Sequence, residues 1–295
     1  MKVSEAYGEG KFGLSFELFP PKTQAGHKAL FGHLAELMKF DPSFVTCTYG
    51  AGGSTREKTL DVVQEVHQRF DCPVAAHLTC VGATADQLRS FLKEADRRGV
   101  ANIVALRGDP PQGDAEFIPN PDGFSHANEL VAMIHSEFPQ FGIAVGGYPE
   151  THPEASSRDA DLTHLKRKVD AGADVVITQL FFNNEDFFHF RDRCEKIGIR
   201  VPIVPGILPV TNFSQIQRIT TLCGAKLPPD FFTALQQNED QPKGQFEVGV
   251  EFATRQVRQL IENEAPGVHF YVLNKSQATA AVLRNLPHTA FSTDC

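Results

Sequence analysis

The sequence predicts an α/β chain folded as a (β/α)8 TIM-type barrel, with an additional helix before the eighth strand. Three observations carry that prediction. Short apolar runs alternate with longer amphipathic stretches eight times within 295 residues. The apolar runs are continuous, as parallel strands covered by helices require. The first run leads into Phe19-Pro20-Pro21-Lys22-Thr23, whereas a doubly wound open sheet, the alternative, would want a GxGxxG turn there.

The elements follow in order. Gly13 to Phe19 (GLSFELF) reads as the first strand and Gln24 to Met38 as the first helix. Phe44 to Gly50 is a strand, and Ser54 to Phe70 a helix with Ser54 and Glu57 in capping-box spacing. Val74 to Cys80 is the third strand. Thr84 caps a helix to Gly99 whose Leu88, Phe91, Leu92 and Ala95 share one face. Asn102 to Gly108 is the fourth strand. A polar loop, Pro110 to Gly123, leads to a helix from about Ser125 to Phe138. Ile143 to Pro149, Val175 to Phe182 and Pro202 to Pro209 are strands, followed by helices over Asp159 to Gly172, Asn184 to Gly198 and Asn212 to Gly224. Asn238 to Gly244 reads as a polar surface loop. Phe246 to Asn263 is the additional helix, Val268 to Leu273 the eighth strand, and a closing helix starts near Ser276. No composition break divides the chain, so residues 1–295 read as a single barrel domain.

Composition narrows the function classes. Hydrophobic residues make up 41% and charged residues 22%, enough for a sizeable core. Twenty-eight Lys and Arg stand against 36 Asp and Glu, a formal net charge of -8. That balance argues against a general nucleic-acid or anionic-membrane surface and leaves room for a local basic pocket. No apolar run reaches the ~18 residues of a membrane span, and the polar start has no signal-peptide core. A cytoplasmic protein is expected. The six cysteines form no CxxC pair, so they read as buried free thiols rather than a zinc or disulfide framework.

In such a barrel, chemistry sits at the C-terminal ends of the strands. Glu17 lies inside the first strand, where an unpaired carboxylate is costly. Burial there would raise its pKa and suit a general acid, or Glu17 is a structural carboxyl bonded within the barrel. Thr48 and Tyr49 end strand two, and His77 lies in strand three. Arg107, Gly108 and Asp109 end strand four, Tyr148 and His152 follow strand five, and Gln179 lies in strand six. Polar residues ending successive strands form a ring suited to a ligand. The ring has no metal-ligand spacing, so no catalytic metal is expected. No GxSxG elbow occurs either. On the helix after strand five, Asp161, His164, Arg167 and Lys168 fall at helical spacing on one face. They form either a solvated charged face or a phosphate clamp.

An ordered set of motifs then gives a resemblance. FELFPPKT (16–23), FVTCTYGAGGS (44–54), AHLTC (76–80), NIVALRGDPP (102–111), YPETHPEA (148–155), LKRKVDAGAD (165–174), ITQLFF (177–182), PGILPVTNF (205–213) and HFYVLNK (269–275) occur from end to end. The chain resembles the bacterial-type methylenetetrahydrofolate reductases. The resemblance implies a (β/α)8 barrel carrying FAD. It implies reduction of 5,10-methylenetetrahydrofolate to 5-methyltetrahydrofolate with NAD(P)H by a ping-pong route, and a homo-oligomer.

The resemblance also implies roles. Glu17 matches the general acid, and Asp109 an acid beside pterin and flavin. Gln179 matches a pterin-binding amide and Phe213 an aromatic that stacks on either substrate. Lys275 stands where many relatives have Arg near the folate tail. Thr48, Tyr49, Ala51, His77, Arg107 and Gly108 match flavin contacts, as do Tyr148, His152 and Ala155. Asp161, His164, Arg167 and Lys168 match the helix that meets the FAD ribose and diphosphate, with His164 in place of an Asn. His126 and Ala127 align with a Tyr-Ala pair over the adenine. Two other classes compete with this reading. A Schiff-base lyase would need a strand-end lysine, for which Lys275 is the candidate, but its flanks are not strongly apolar. A barrel that binds without catalysis is disfavoured by the joint presence of Glu17, Asp109 and Gln179.

Overall fold

The computed structural model describes residues 1–8, 12–49, 56–109 and 117–287. After a short 3-10 helix (Val3–Tyr7), strands and helices alternate. The first half comprises β1 (Gly13–Leu18), α1 (Gln24–Leu37), β2 (Phe44–Cys47), α2 (Arg56–Phe70), β3 (Val74–Thr79), α3 (Ala85–Arg97), β4 (Asn102–Leu106) and α4 (Ala127–Glu137). The second comprises β5 (Gly142–Gly147), α5 (Arg158–Asp170), β6 (Val175–Leu180), α6 (Asn184–Lys196), β7 (Ile203–Ile207), α7 (Phe213–Cys223), α8 (Pro229–Gln237), α9 (Pro242–Glu262), β8 (Gly267–Tyr271) and α10 (Gln277–Arg284). The eight strands form a closed parallel barrel in sequence order, β8 pairing back to β1.

Side chains on each strand alternate between two cores. Leu14, Phe16 and Leu18 of β1 face outward and join the helices in the main core. Phe44, Ala75, Val104, Ala144, Val175 and Val204 fill the lower barrel, and Val3, Ala6 and Tyr7 of the 3-10 helix pack with them as its floor. That dry base leaves the upper interior to polar groups. Glu17, Thr46 and His77 are buried there, with Ser15 and His269 buried one layer down beside Phe44. The register sets Ser15 beside Phe44 and His269, and Glu17 beside Thr46 and Tyr271.

The helices form for local reasons. In α3 the buried Leu88, Phe91, Leu92 and Ala95 recur at helical spacing. Thr84 Oγ1 accepts from Gln87 N at 3.2 Å, and Gln87 Oε1 accepts from Thr84 N at 3.1 Å. Such a cap contributes about 1 kcal/mol. The Ser54–Glu57 box proposed for α2 lies outside the described residues.

The structure corrects two readings. Asn238 to Gly244 is not one loop: α9 starts at Pro242, with Pro in the first turn, where its missing N–H costs nothing. A nine-residue helix, α8, also precedes α9 and was not read from the sequence. The additional helix is itself part of the barrel wall. Packed against α6 and α10, α9 sends Val250, Ala253, Val257 and Leu260 into the main core. Helices α7 and α8 instead build a satellite core around Phe213, Ile216, Phe231 and Leu235.

Candidate active site

The polar upper barrel centres on Glu17, only 8% exposed. Its Oε2 lies 3.4 Å from His77 Nε2 on β3 and 3.7 Å from His269 Nε2 on β8. Both contacts are looser than a formed hydrogen bond, as acid–base groups often are before substrate tightens them. Burial pulls the His77 pKa down, against the Glu17 charge that raises it. His77 is therefore a neutral neighbour near pH 7. Below Glu17, His269 Nδ1 and Ser15 Oγ are 2.7 Å apart, and Ser15 Oγ is 3.1 Å from the Tyr7 hydroxyl.

The strand ends add a rim. Arg107 donates two hydrogen bonds to the Glu154 carboxylate at 2.6 and 2.8 Å, and its guanidinium lies 5.0 Å from the Phe117 ring centre. Gly108 has φ +87°, and a Cβ there would come within 2.8 Å of Val81 Cγ1. Glycine therefore turns the chain so that exposed Asp109 follows. The charge of Asp109 acts on both Arg107 and the Tyr148 phenol. Tyr148 and His152 meet edge to face at 4.5 Å.

Helix α5 carries the cationic side. Ser157 caps it by accepting from Ala160 N at 3.1 Å. Asp161 Oδ2 accepts from His152 N at 2.9 Å, and His152 Nδ1 accepts from Glu154 N at 3.1 Å. Lys168 turns in beneath the strand end and donates to Gly146 O at 2.5 Å. Burial pushes its pKa down to about 8, with Asp161 opposing the shift. The expected single face is thus split: Lys168 is drawn inward near Asp161, whereas His164 and Arg167 are exposed.

On the far side, the chain bulges at Gln179. Ile177 pairs with Val204 and Leu180 with Gly206, so β6 carries one extra residue. Bulges beside active sites re-aim side chains. Gln179 Oε1 accepts from Leu180 N at 2.9 Å.

The remaining expected residues fall as follows. Thr48 N donates to Leu18 O at 2.8 Å, and Thr48 O accepts from Thr59 Oγ1 at 2.8 Å. Tyr49 packs edge to face on Phe91 of α3. His126 is exposed and precedes Ala127 at the start of α4, where Glu129 accepts from His126 N. Ala155 N donates to His152 O at 2.9 Å. Phe213 is 3% exposed and sits edge to face with Phe232 in the satellite core. Lys275 is exposed on the turn after β8. Ala51 lies outside the described residues.

The sequence reading missed Ser15, Tyr7, Glu154, His269, Tyr271 and Asn274. Alternation was the available signal for two of them: His269 and Tyr271, two apart on β8, face the same way as Ser15 and Glu17 beside them.

The arrangement suits a large polar ligand. Thr46 Oγ1 and Thr79 Oγ1 are buried without a hydrogen-bond partner among the described residues, a condition native structures rarely leave unused. Lys168 and Arg167 supply cations for anionic oxygens.

A family model, methylenetetrahydrofolate reductase, matches residues 2–287. The chain belongs to the methylenetetrahydrofolate reductase family. The 5,10-methylenetetrahydrofolate reductase of Escherichia coli is 38% identical over 286 residues, covering 97% of this chain and 94% of that protein. Methylenetetrahydrofolate reductase (NADH) 1 of Zea mays is 37% identical over 295 residues. There the chain spans about half of the relative's length, 50%. Among solved structures, an uncharacterized Clostridium thermocellum protein that binds two copies of 5-methyl-5,6,7,8-tetrahydrofolic acid superposes with a TM-score of 0.61. It is 14% identical and covers 93% of this chain and 94% of its own. That likeness concerns the fold.

Proposed function

We propose that this reductase-family barrel reduces 5,10-methylenetetrahydrofolate to 5-methyltetrahydrofolate, with NAD(P)H as reductant and FAD as resident cofactor. The observation that carries the reading is Glu17, a carboxyl buried at the centre of the mouth between two imidazoles. A carboxyl so placed is costly unless it works. The flavin, when bound, supplies the hydride chemistry.

The protein's own residues do the rest. Lys168, Arg167 and His164 on α5 would hold the diphosphate, with Asp161 and His152 ordering the loop beside it. Thr48, Tyr49 and Ala51, with Tyr148 and Ala155, would border the ring system, and His126 and Ala127 the adenine end. Glu17 would deliver a proton to a ring nitrogen of the folate, opening the five-membered ring to an electrophilic iminium. Asp109 would favour that cation by its charge. Gln179 offers both a donor and an acceptor to the pterin. Phe213 would stack on either substrate and Lys275 would meet the folate tail. Because one mouth serves both substrates in turn, ping-pong kinetics follow.

The test is an anaerobic titration of the purified protein. It is expected to be yellow, to bleach with NADH or NADPH, and to regain colour on adding methylenetetrahydrofolate. A colourless protein that binds no added flavin overturns the reading.

A further inference from the structure

We propose that His269, held from below by Ser15 and Tyr7, is a positioning residue for Glu17, presenting an Nε2–H to the carboxylate and fixing the orientation from which Glu17 serves as proton donor. The inference deepens the reductase reading and rests on it.

The four groups stack up the barrel interior from floor to mouth. Tyr7 comes from the 3-10 helix, Ser15 and Glu17 from the first strand, and His269 from the last. Tyr7 hydroxyl to Ser15 Oγ is 3.1 Å, and Ser15 Oγ to His269 Nδ1 is 2.7 Å. His269 Nε2 then lies 3.7 Å from Glu17 Oε2.

Donor counting decides the direction of this column. Burial raises the Tyr7 pKa, so the phenol keeps its single proton. If Tyr7 donates to Ser15, the serine hydroxyl is free to donate to His269 Nδ1. An imidazole with a single ring proton then carries it on Nε2, facing Glu17. Every donor below Glu17 is satisfied. The reverse direction leaves the buried Tyr7 proton without an acceptor among the described residues. It also turns the Nε2 lone pair toward the carboxylate. Burying a polar group unpaired costs more than any gain from that alternative.

Stability does not explain the column. Ser15 is 0% and His269 1% exposed, within a barrel otherwise packed with Phe, Val and Ala at the same level. Apolar side chains would fill that space without the desolvation cost. The other groups beside Glu17 are His77 from β3, Thr46 from β2 and Tyr271 from β8. His77 lies 3.4 Å away and approaches from β3, beyond β2 on the other side of β1, leaving His269 to set the β8 side.

The test has two arms, run on Ser15→Ala, His269→Gln and His269→Leu with Glu17→Gln as reference. In the first, nitrogen NMR of the labelled imidazoles reads the His269 tautomer directly. Wild type is expected to show the Nε2–H form, and Ser15→Ala a mixture. A pure Nδ1–H form in wild type overturns the proposal. In the second, stopped-flow traces separate bleaching by NAD(P)H from recolouring by methylenetetrahydrofolate across pH. Ser15→Ala is expected to slow recolouring roughly tenfold, the upper effect of one lost neutral hydrogen bond, and to shift its pH profile. Bleaching by NAD(P)H should stay unchanged in Ser15→Ala. His269→Gln, which keeps a donor, should retain more recolouring than His269→Leu. If Glu17→Gln recolours normally, the reading of Glu17 fails. If Glu17→Gln fails to recolour while all three column variants match wild type in rate and pH profile, the column has no such role.

Discussion

Tyr271 reaches across β7 to bond the backbone of β6: its hydroxyl donates to Thr178 O at 2.7 Å. The reach is possible because Gly206 lies beneath. A Cβ at Gly206 would stand 2.2 Å from Thr178 O and 2.7 Å from Tyr271 Cε2. The bridge sits where the barrel is least regular. The bulge at Gln179 interrupts the β6–β7 ladder, and β7 pairs with β8 through only Gly206 and Ile207. A side-chain bond there replaces ladder bonds the backbone does not make.

Gly206→Ala should therefore destabilise the protein by about 3 kcal/mol, the upper range for overpacking against backbone that cannot yield. Tyr271→Phe should cost about 1 kcal/mol, one neutral hydrogen bond. Denaturant melts of the two variants check the ranking. Equal midpoints would mean that the backbone relaxes around the methyl group.

Closure of the barrel also depends on Asn274. Its side chain accepts from Phe19 N at 2.8 Å and donates to Phe19 O at 2.8 Å, tying the ends of β8 and β1 above Glu17. Asn274 has φ +57°, which Asn tolerates better than most residues. Asn274→Ala loses both bonds and keeps the backbone strain, for about 2 kcal/mol. Asn274→Gly loses the bonds but relieves the strain, so it should melt above Asn274→Ala. The opposite order would show that the backbone conformation is set elsewhere.

These two contacts show where sequence reading stops. The eight-fold alternation was legible because each strand and wall helix buries a continuous apolar surface, which leaves a periodic trace. Glu17 was legible because a carboxyl inside an apolar run is an anomaly in one dimension. His269, Ser15 and Tyr7 were not, because each is unremarkable locally and gains meaning only when β8 closes onto β1, 254 residues apart for Ser15 and His269. Helix α8 escaped for a different reason. Nine residues opening on Pro229 and burying only Phe231 and Leu235 carry too short a period to separate from a loop. Lys168 read as half of a cationic face, yet its long stem lets it leave that face and seek Gly146 O.

Replacing Glu17 tests the proposed chemistry most directly. Glu17→Gln keeps shape and hydrogen bonding but has no proton of suitable acidity to give. Bleaching by NAD(P)H should persist, and recolouring by methylenetetrahydrofolate should fall ~10²- to 10⁴-fold, the usual worth of a general acid. Stopped-flow absorbance measures both phases in one sample. Wild-type recolouring in this variant would remove Glu17 from the proton path.

Lys168 makes the pH dependence of stability specific. Its pKa falls from 10.5 to about 8 because burial disfavours the ammonium. Between those values the unfolded chain holds the proton and the native state has released it. Stability must then rise with pH across that window. Below it both states are charged, so the full cost of burying the ammonium is present. Lys168→Met has no such group, so denaturant melts from pH 8 to pH 10.5 should show a rising contribution in wild type that the variant lacks. Parallel curves would mean that Lys168 stays charged in the native state. The same proton bears on the proposed phosphate contact. A neutral amine attracts no anion, so wild-type protein should shed flavin faster on gel filtration as the pH rises through about 8, at which half of the Lys168 amines are discharged. Lys168→Met should lose flavin readily at neutral pH and show little further change on going alkaline. If both proteins hold flavin equally at every pH, the diphosphate is held by Arg167 and the helix terminus, and Lys168 serves only to brace β5.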